Sequence, residues 1–411
     1  LVIYNRCRFE RIAEVSFNHL KNAYNSAQRK YIEVTVGPND GDFVGADHMV
    51  IQAAVEYVGA CGGGKVVLKP GMYSMGNAVY MKTGVVLAGS GGETVLRRIP
   101  SVSSPLKTDI DWYDWQVELE DASGFRVGGG LMLTSLEETA KTPQATVHTI
   151  IGIDGNVLYL DSQPRMNHWL GLEAKASSIS SIIRADYSEN WSIHNLVLDG
   201  NREHNEYLNG NYGGAIFMQD CQNVSIKNVQ IRDFNGDGMS WQVCHDVSVE
   251  DCCLSNCAML GLHPGSGSQR PVIRRNTVDK CDTGIFWCWG VKNGLAEENA
   301  ISNCRIGIST GHRDTDNLMH HNRIIDTVET AILFRPERSP DRTSHRTVIE
   351  DSHIENASVG IHLSRGLEDV ILRRNTICSK DGRMSVGILK EPGVVGLVLD
   401  GNSFDGVEEG V

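Results

Sequence analysis

GAIFM at 214–218, GMSWQ at 238–242, GLHPG at 261–265, GIFWC at 284–288, GISTG at 307–311, AILFR at 331–335, GIHLS at 360–364 and GILKE at 387–391 share one pattern. A small residue opens a short apolar run, and the opening residues stand 24, 23, 23, 23, 24, 29 and 27 positions apart. That period belongs to stacked solenoid coils, in which each repeat buries its apolar face against its neighbours. A second series runs through the same region in another phase. Apolar runs end at Asn195, Asn228, Asp251, Asn276, Asn299, Asn322, Ser352, Asn375 and Asn402. A turn Asn adopts a left-handed backbone at low cost, and its side chain is expected to hydrogen-bond its equivalent one coil on.

Working outward, Val50, Ile51, Ala54, Val55 and Val58 have helical spacing that stops at Gly62-Gly63-Gly64. The runs KVVLKPGMY, AVYMKTGVVLAGSG and TVLRRI that follow read as short strands with turns. Residues 1–35 read as a helical or irregular cap. From about 107 to 185 the coil rhythm breaks into alternating runs with Gly turns, such as WQVELEDASGFRVGGGLMLTS and VHTIIGIDGNVLYLD, the pattern of an antiparallel insertion. The expected organisation is a cap and first coils over 1–106, a β insertion over 107–185 and the main coils over 186–411.

The stretch from DGDFVGADHMVIQAAVEYVGACGGGKVVLKPGMYSM to VVLAGSG resembles the opening of pectate-lyase-superfamily proteins. The resemblance implies an all-β, right-handed parallel β-helix whose N-terminal helix caps the solenoid. It says little of the chemistry, since lyases, hydrolases, epimerases, transferases and phage tailspikes share that fold. In the related polygalacturonases, paired Asp residues stand where this chain has Gly236 and Asp237. A third Asp is replaced by Gly213, and Leu260 stands where that family has a His. The polygalacturonase set is thus mostly missing, and the resemblance does not carry that family's inverting mechanism over whole.

Composition narrows the partners. A net charge of −13 disfavours nucleic acid. No apolar run approaches the roughly 20 residues that cross a bilayer, so no membrane partner is expected. Self-association is admissible, because β-helices of this type pack side by side. Of eleven cysteines, Cys221 and Cys244, and Cys257, Cys281 and Cys304, follow the coil period and read as stacked, reduced thiols. C-x-x-C spacing is absent, so no metal is expected, with Ca²⁺ entering only if the protein is a lyase. The fold resemblance favours a secreted or periplasmic setting, whereas the cysteine usage leans towards the cytoplasm.

Alternation along a strand sends Ala215, Met239, Leu262, Ile285, Ile308, Ile332, Ile361 and Ile388 inward. It sends Ile216, Ser240, His263, Phe286, Ser309, Leu333, His362 and Leu389 outward. Met218, Gln242, Gly265, Cys288, Gly311, Arg335, Ser364 and Glu391 should share that outer face. Trp287 is expected inside, with Trp241 and Phe334.

A poly- or oligosaccharide laid along the middle coils is the expected substrate, and a glycoside hydrolase the first expectation. Asp237 would be acid or base and Asp233 or Asp314 the second carboxylate, because hydrolysis needs two carboxyls about 5–9.5 Å apart. His263, with a proton-accepting imidazole, joins the catalytic candidates. His312, Arg313, Arg335, Gln242 and Glu337 would bind substrate, Arg favouring an acidic sugar, and Trp289 would stack on a ring. An Arg–Asp and Arg–Glu network that merely ties the loops together is the competing reading of the charged cluster. The alternative chemistry is β-elimination on a uronate polymer, with Arg313 or Arg335 neutralising the carboxylate and His263 or His312 as base. A non-catalytic glycan-binding β-helix is the third reading.

Overall fold

A computed structural model of the chain describes residues 31–337 and 343–410. It is a parallel β-helix. Eleven strands form one wall, from Val79–Tyr80 through Ile183–Asp186, Ile216–Gln219, Met239–Gln242, Leu260–Gly265, Thr283–Phe286, Ile306–Thr310, Thr330–Phe334, Val359–Leu363 and Val386–Lys390 to Glu408–Gly410. This wall is called the front sheet below. A 22-stranded parallel set forms the remaining walls.

Register on the front sheet places Ile216, Met239, Leu262, Ile285, Ile308, Ile332, Ile361 and Ile388 in one line. All eight are fully buried. Each is worth about 1.5–3 kcal/mol relative to exposure, so this stack is a main source of the fold's stability. Trp241, Trp287 and Phe334 lie in the same interior. The first rung corrects the sequence alignment by one position. Ile216, not Ala215, pairs with Met239, and Phe217 rather than Ile216 faces outward beside Ser240. The first 24-residue step therefore places Gly214 one residue ahead of the phase it appears to set.

The Asn ladder forms inside the solenoid. Asn276 donates its side-chain amide to Asn299 Oδ1 at 3.0 Å, and Asn299 donates to Asn322 Oδ1 at 2.9 Å. The line continues through Ser352 to Asn375 and Asn402. The left-handed backbone, however, falls one residue earlier, at Arg275, Glu298, His321, Asp351 and Arg374. Only Asn195, Asn228 and Asp251 carry it themselves. Along most of the ladder the Asn is thus selected for its amide, and the preceding residue makes the bend.

At one end the helix His48–Ala60 closes the solenoid, burying Ile51, Ala54, Val55 and Val58. The Asp47 side chain caps it by accepting from Met49 N and Val50 N. The expected cap over 1–35 lies mostly outside the described residues. Its last part is a strand, Ile32–Gly37, paired with Gly64–Leu68. Between Thr94–Arg98 and Ile183–Asp186 the chain builds a six-stranded antiparallel sheet from Ser103 to Ser177, with its own core around Leu119, Leu133, Ile150 and Leu160. No helix among the described residues is long and apolar enough to cross a membrane. The ten described cysteines are free thiols, and Cys221, Cys244, Cys257, Cys281 and Cys304 are buried.

Candidate functional site

The outer line of the front sheet runs Phe217, Ser240, His263, with Phe286, Ser309, Leu333, His362 and Leu389 following. Strand alternation puts Gln242, Arg335 and Glu391 on the same face. Its centre is a hydrogen-bonded group built on two neighbouring rungs. His263 Nδ1 lies 2.8 Å from Asp237 Oδ2 and 3.3 Å from Ser240 Oγ. Ser240 donates its own hydroxyl to the Gly210 carbonyl at 2.6 Å and accepts from Gln242 Nε2 at 3.2 Å. With the serine proton committed to Gly210, Nδ1 must carry the hydrogen shared with Asp237 and Ser240. In that neutral tautomer Nε2 is the nitrogen that holds the lone pair.

That nitrogen is buried and has no hydrogen-bond partner among the described residues. Buried polar atoms are normally satisfied, because each unmade bond costs about 1–3 kcal/mol. Asp237, by contrast, is fully engaged, accepting also from Leu260 N at 3.2 Å. It orients the imidazole as the carboxylate of a catalytic dyad does. Ser240 and Asp237 meet the same ring nitrogen, so Ser240 is not arranged as a nucleophile activated by His263. Gly210 packs so closely on the dyad that a Cβ there would stand 1.8 Å from Asp237 Oδ2.

Phe286 links this group to a cation. The His263 ring meets Phe286 edge-on with centroids 5.4 Å apart, and the Arg335 guanidinium lies 4.1 Å from the same ring centroid. Arg335 reaches back across the sheet to donate to Ser309 Oγ and to the Trp287 carbonyl, both at 2.8 Å. Gly311 leaves room for it, since a Cβ there would meet the guanidinium at 2.7 Å. Trp289 stands at a left-handed turn beyond the Phe286 strand and is 64% exposed. It stacks on His312 at 4.7 Å, and His312 Nδ1 is 3.4 Å from Glu337 Oε2. Arg313 lies exposed at the adjoining turn.

Two expected carboxylates stand elsewhere. Asp233 sits on the left-handed turn that precedes the front strand, where it accepts from Asn256; it is not part of the His263 group. Asp314 is fully buried, its oxygens accepting from Gly290 N, Val291 N and Gly311 N. Burial pushes its carboxyl above the ordinary value, opposed by Arg335 and by those N–H groups. Asp314 therefore organises the loops behind Arg335 and presents no oxygen to solvent. Asp316 is likewise held by Arg346, so part of the charged cluster is indeed a loop-tying network. Asp199, another carboxylate on a nearby coil, is bound by Arg97 and Arg232.

Sequence reading missed the contribution of Gly210 and the segment around it. Asn-Gly-Asn-Tyr reads simply as a turn, and its contact with a residue 27 positions away leaves no local signal.

Comparison with known proteins agrees with the architecture. The family described as "Right handed beta helix region" matches residues 214–377. This chain folds as a right-handed parallel β-helix. Among solved structures, the β-helix is similar to the A-module of a mannuronan C-5 epimerase from Azotobacter vinelandii, with 14% identity, a TM-score of 0.58, and 92% of this chain and 99% of that one covered. It is also similar to a hyperthermoactive exopolygalacturonase from Thermotoga maritima, with 13% identity, a TM-score of 0.50, and coverage of 95% and 96%. A third similarity is to the N-terminal fragment of gene product 12 of bacteriophage Phi29, with 12% identity, a TM-score of 0.57, and coverage of 96% and 60%. No curated protein sequence matches. At such identities the likeness is one of fold, and the fold is shared by an epimerase, a hydrolase and a phage protein.

Proposed function

We propose that this β-helix acts on a uronate-containing polysaccharide by β-elimination, with His263 as the base. The observation that carries the reading is the buried His263 Nε2, which has no partner among the described residues while Asp237 holds Nδ1. In the reaction, Nε2 takes the proton from C5 of a uronate. The C4–C5 double bond forms as the C4–O bond breaks, and the proton on Nε2 passes to the departing oxygen. The carbanion-like charge that develops spreads onto the uronate carboxylate, and Arg335, across Phe286 from His263, is the cation suited to pair with it. Trp289 offers its free ring face to a neighbouring sugar.

Hydrolysis, the first expectation from sequence, is less well supported. Asp237 is occupied as the partner of His263, Asp233 belongs to another turn and Asp314 is sealed. Assay against neutral and acidic polysaccharides, recording reducing ends and ultraviolet absorbance together, tests the reading. Elimination releases both signals from uronate polymers. Reducing ends without absorbance would overturn it in favour of a hydrolase, and binding with no turnover on any polymer would leave a glycan-binding solenoid.

A further inference from the structure

Seven described cysteines are buried, and six of them behave alike. Cys221, Cys244, Cys252, Cys257, Cys281 and Cys304 each donate the thiol to the carbonyl two residues earlier, at 3.2–3.9 Å. Cys378 is the exception. It is 4% exposed, and its Sγ has no hydrogen-bond partner among the described residues. It lies on a strand of the back walls, Thr376–Cys378, where Ile377 points inward and Cys378 outward.

Register brings two further donors to that thiol. Cys378 pairs with Glu355 one rung before it, and His353 stands two residues from Glu355 on the same face. One ligand atom from each of the three lies within 4.8 Å of the others. His353 Nε2 and Glu355 Oε2 are 3.0 Å apart. Asp405 is in register with Cys378 one rung further on. An imidazole nitrogen, a thiolate and a carboxylate are donors that Zn²⁺ prefers, at bond lengths of about 2.0–2.3 Å.

We propose that His353, Glu355 and Cys378 form a site for one divalent transition-metal ion of the Zn²⁺ type, with Asp405 or water in the fourth position. Binding replaces the Cys378 thiol proton, which leaves to solvent, by a metal–sulfur bond. It also displaces the Lys380 ammonium, which lies 2.8 Å from Glu355 Oε2 on a largely exposed side chain. The ion would fasten two adjacent rungs from outside, on a wall other than the front sheet. The sequence concealed the site because H-x-E and its cysteine are a full coil apart, whereas expected cysteine–metal motifs are local.

The test uses the full untagged chain titrated with Co²⁺ as a probe. Thiolate-to-cobalt charge-transfer absorption should grow to one equivalent and be displaced by Zn²⁺. It should vanish in Cys378→Ser, persist in Cys253→Ser at an exposed cysteine, and require at least ten-fold more metal in His353→Gln. Failure of the band to form in the unaltered chain, or its survival in Cys378→Ser, overturns the site. If Cys378→Ser does not fold, unchanged affinity in His353→Gln, a partly exposed position, overturns it equally.

Discussion

The Asp237–His263 contact makes a sharp claim about one proton. Asp237→Asn keeps the shape but can turn its amide NH₂ towards His263, which then becomes the acceptor at Nδ1 and carries its hydrogen on Nε2. Such an imidazole is no base. Turnover should fall by roughly 10²–10⁴-fold, the usual worth of a general base, while the melting temperature changes little. His263→Gln should lose a similar factor, and Asp233→Asn should lose nothing, because its carboxylate faces Asn256 on a separate turn. Steady-state rates on a uronate polymer check all three, and full activity in Asp237→Asn would remove the dyad from the mechanism. Gly210→Ala adds the complementary steric test. Its methyl would collide with Asp237 Oδ2 at 1.8 Å, so activity should be lost even though no polar group is removed. Of this centre, Ser240, Gln242, His263 and Arg335 were legible from alternation along the coils, and Asp237 from the family resemblance at the turn before its strand. The roles of Gly210 and Phe286 were not, because they arise from close packing across rungs rather than from residue type. Nor could alternation show that Asp314 is sealed, since loop closure decides that.

Single elements carry two further consequences. In the Asn ladder, Asn299 accepts from Asn276 N and Nδ2 and donates to Asn322 Oδ1 and the Ile273 carbonyl. Asn299→Ala strands those buried groups together and should cost about 2–4 kcal/mol, measured by urea unfolding. A loss under about 0.5 kcal/mol would mean that water enters and replaces the amide. The ladder's existence was plain from its spacing. Its backbone phase was not, because an Asn beside a bend and an Asn in a bend look identical in sequence. The insertion sheet makes the other claim. His148 and His168 are both pushed down to about 4, chiefly by burial. Unfolded, each titrates near 6.5. Above that value neither state is protonated and the two histidines contribute no pH dependence. As pH falls from about 6.5 towards 4, the unfolded chain takes up protons that the folded sheet refuses, so stability drops. The loss approaches roughly 3 kcal/mol per histidine. Proteolysis within 103–177 should therefore accelerate between pH 6.5 and 4 in the unaltered protein, and less so in His148→Gln. A rate independent of pH across that window would refute the burial argument.

At the scale of the whole molecule, the solenoid turns sequence period into distance. Each rung adds about 4.8 Å, so the step from His263 through Phe286, Ser309 and Leu333 to His362 spans about 19 Å along the axis. His362 Nε2 pairs with Glu391 Oε1 at 3.0 Å on this same face. A short oligouronate seated at the His263–Arg335 pair ends before it, whereas a polymer lying along the axis reaches it. Binding energy from such remote contacts is gained only by substrates long enough to make them. The value of kcat/KM should therefore rise with oligomer length until the chain covers that span, then level off. His362→Ala should lower kcat/KM for long oligomers by a few-fold and leave short ones unaffected. Trp289→Ala, one rung from the dyad, should instead weaken every length by roughly 3–10-fold, the worth of one aromatic contact. Equal losses at all lengths in both variants would mean that the glycan crosses the rungs rather than following them. The front sheet would then be a wall that the substrate touches at one point only.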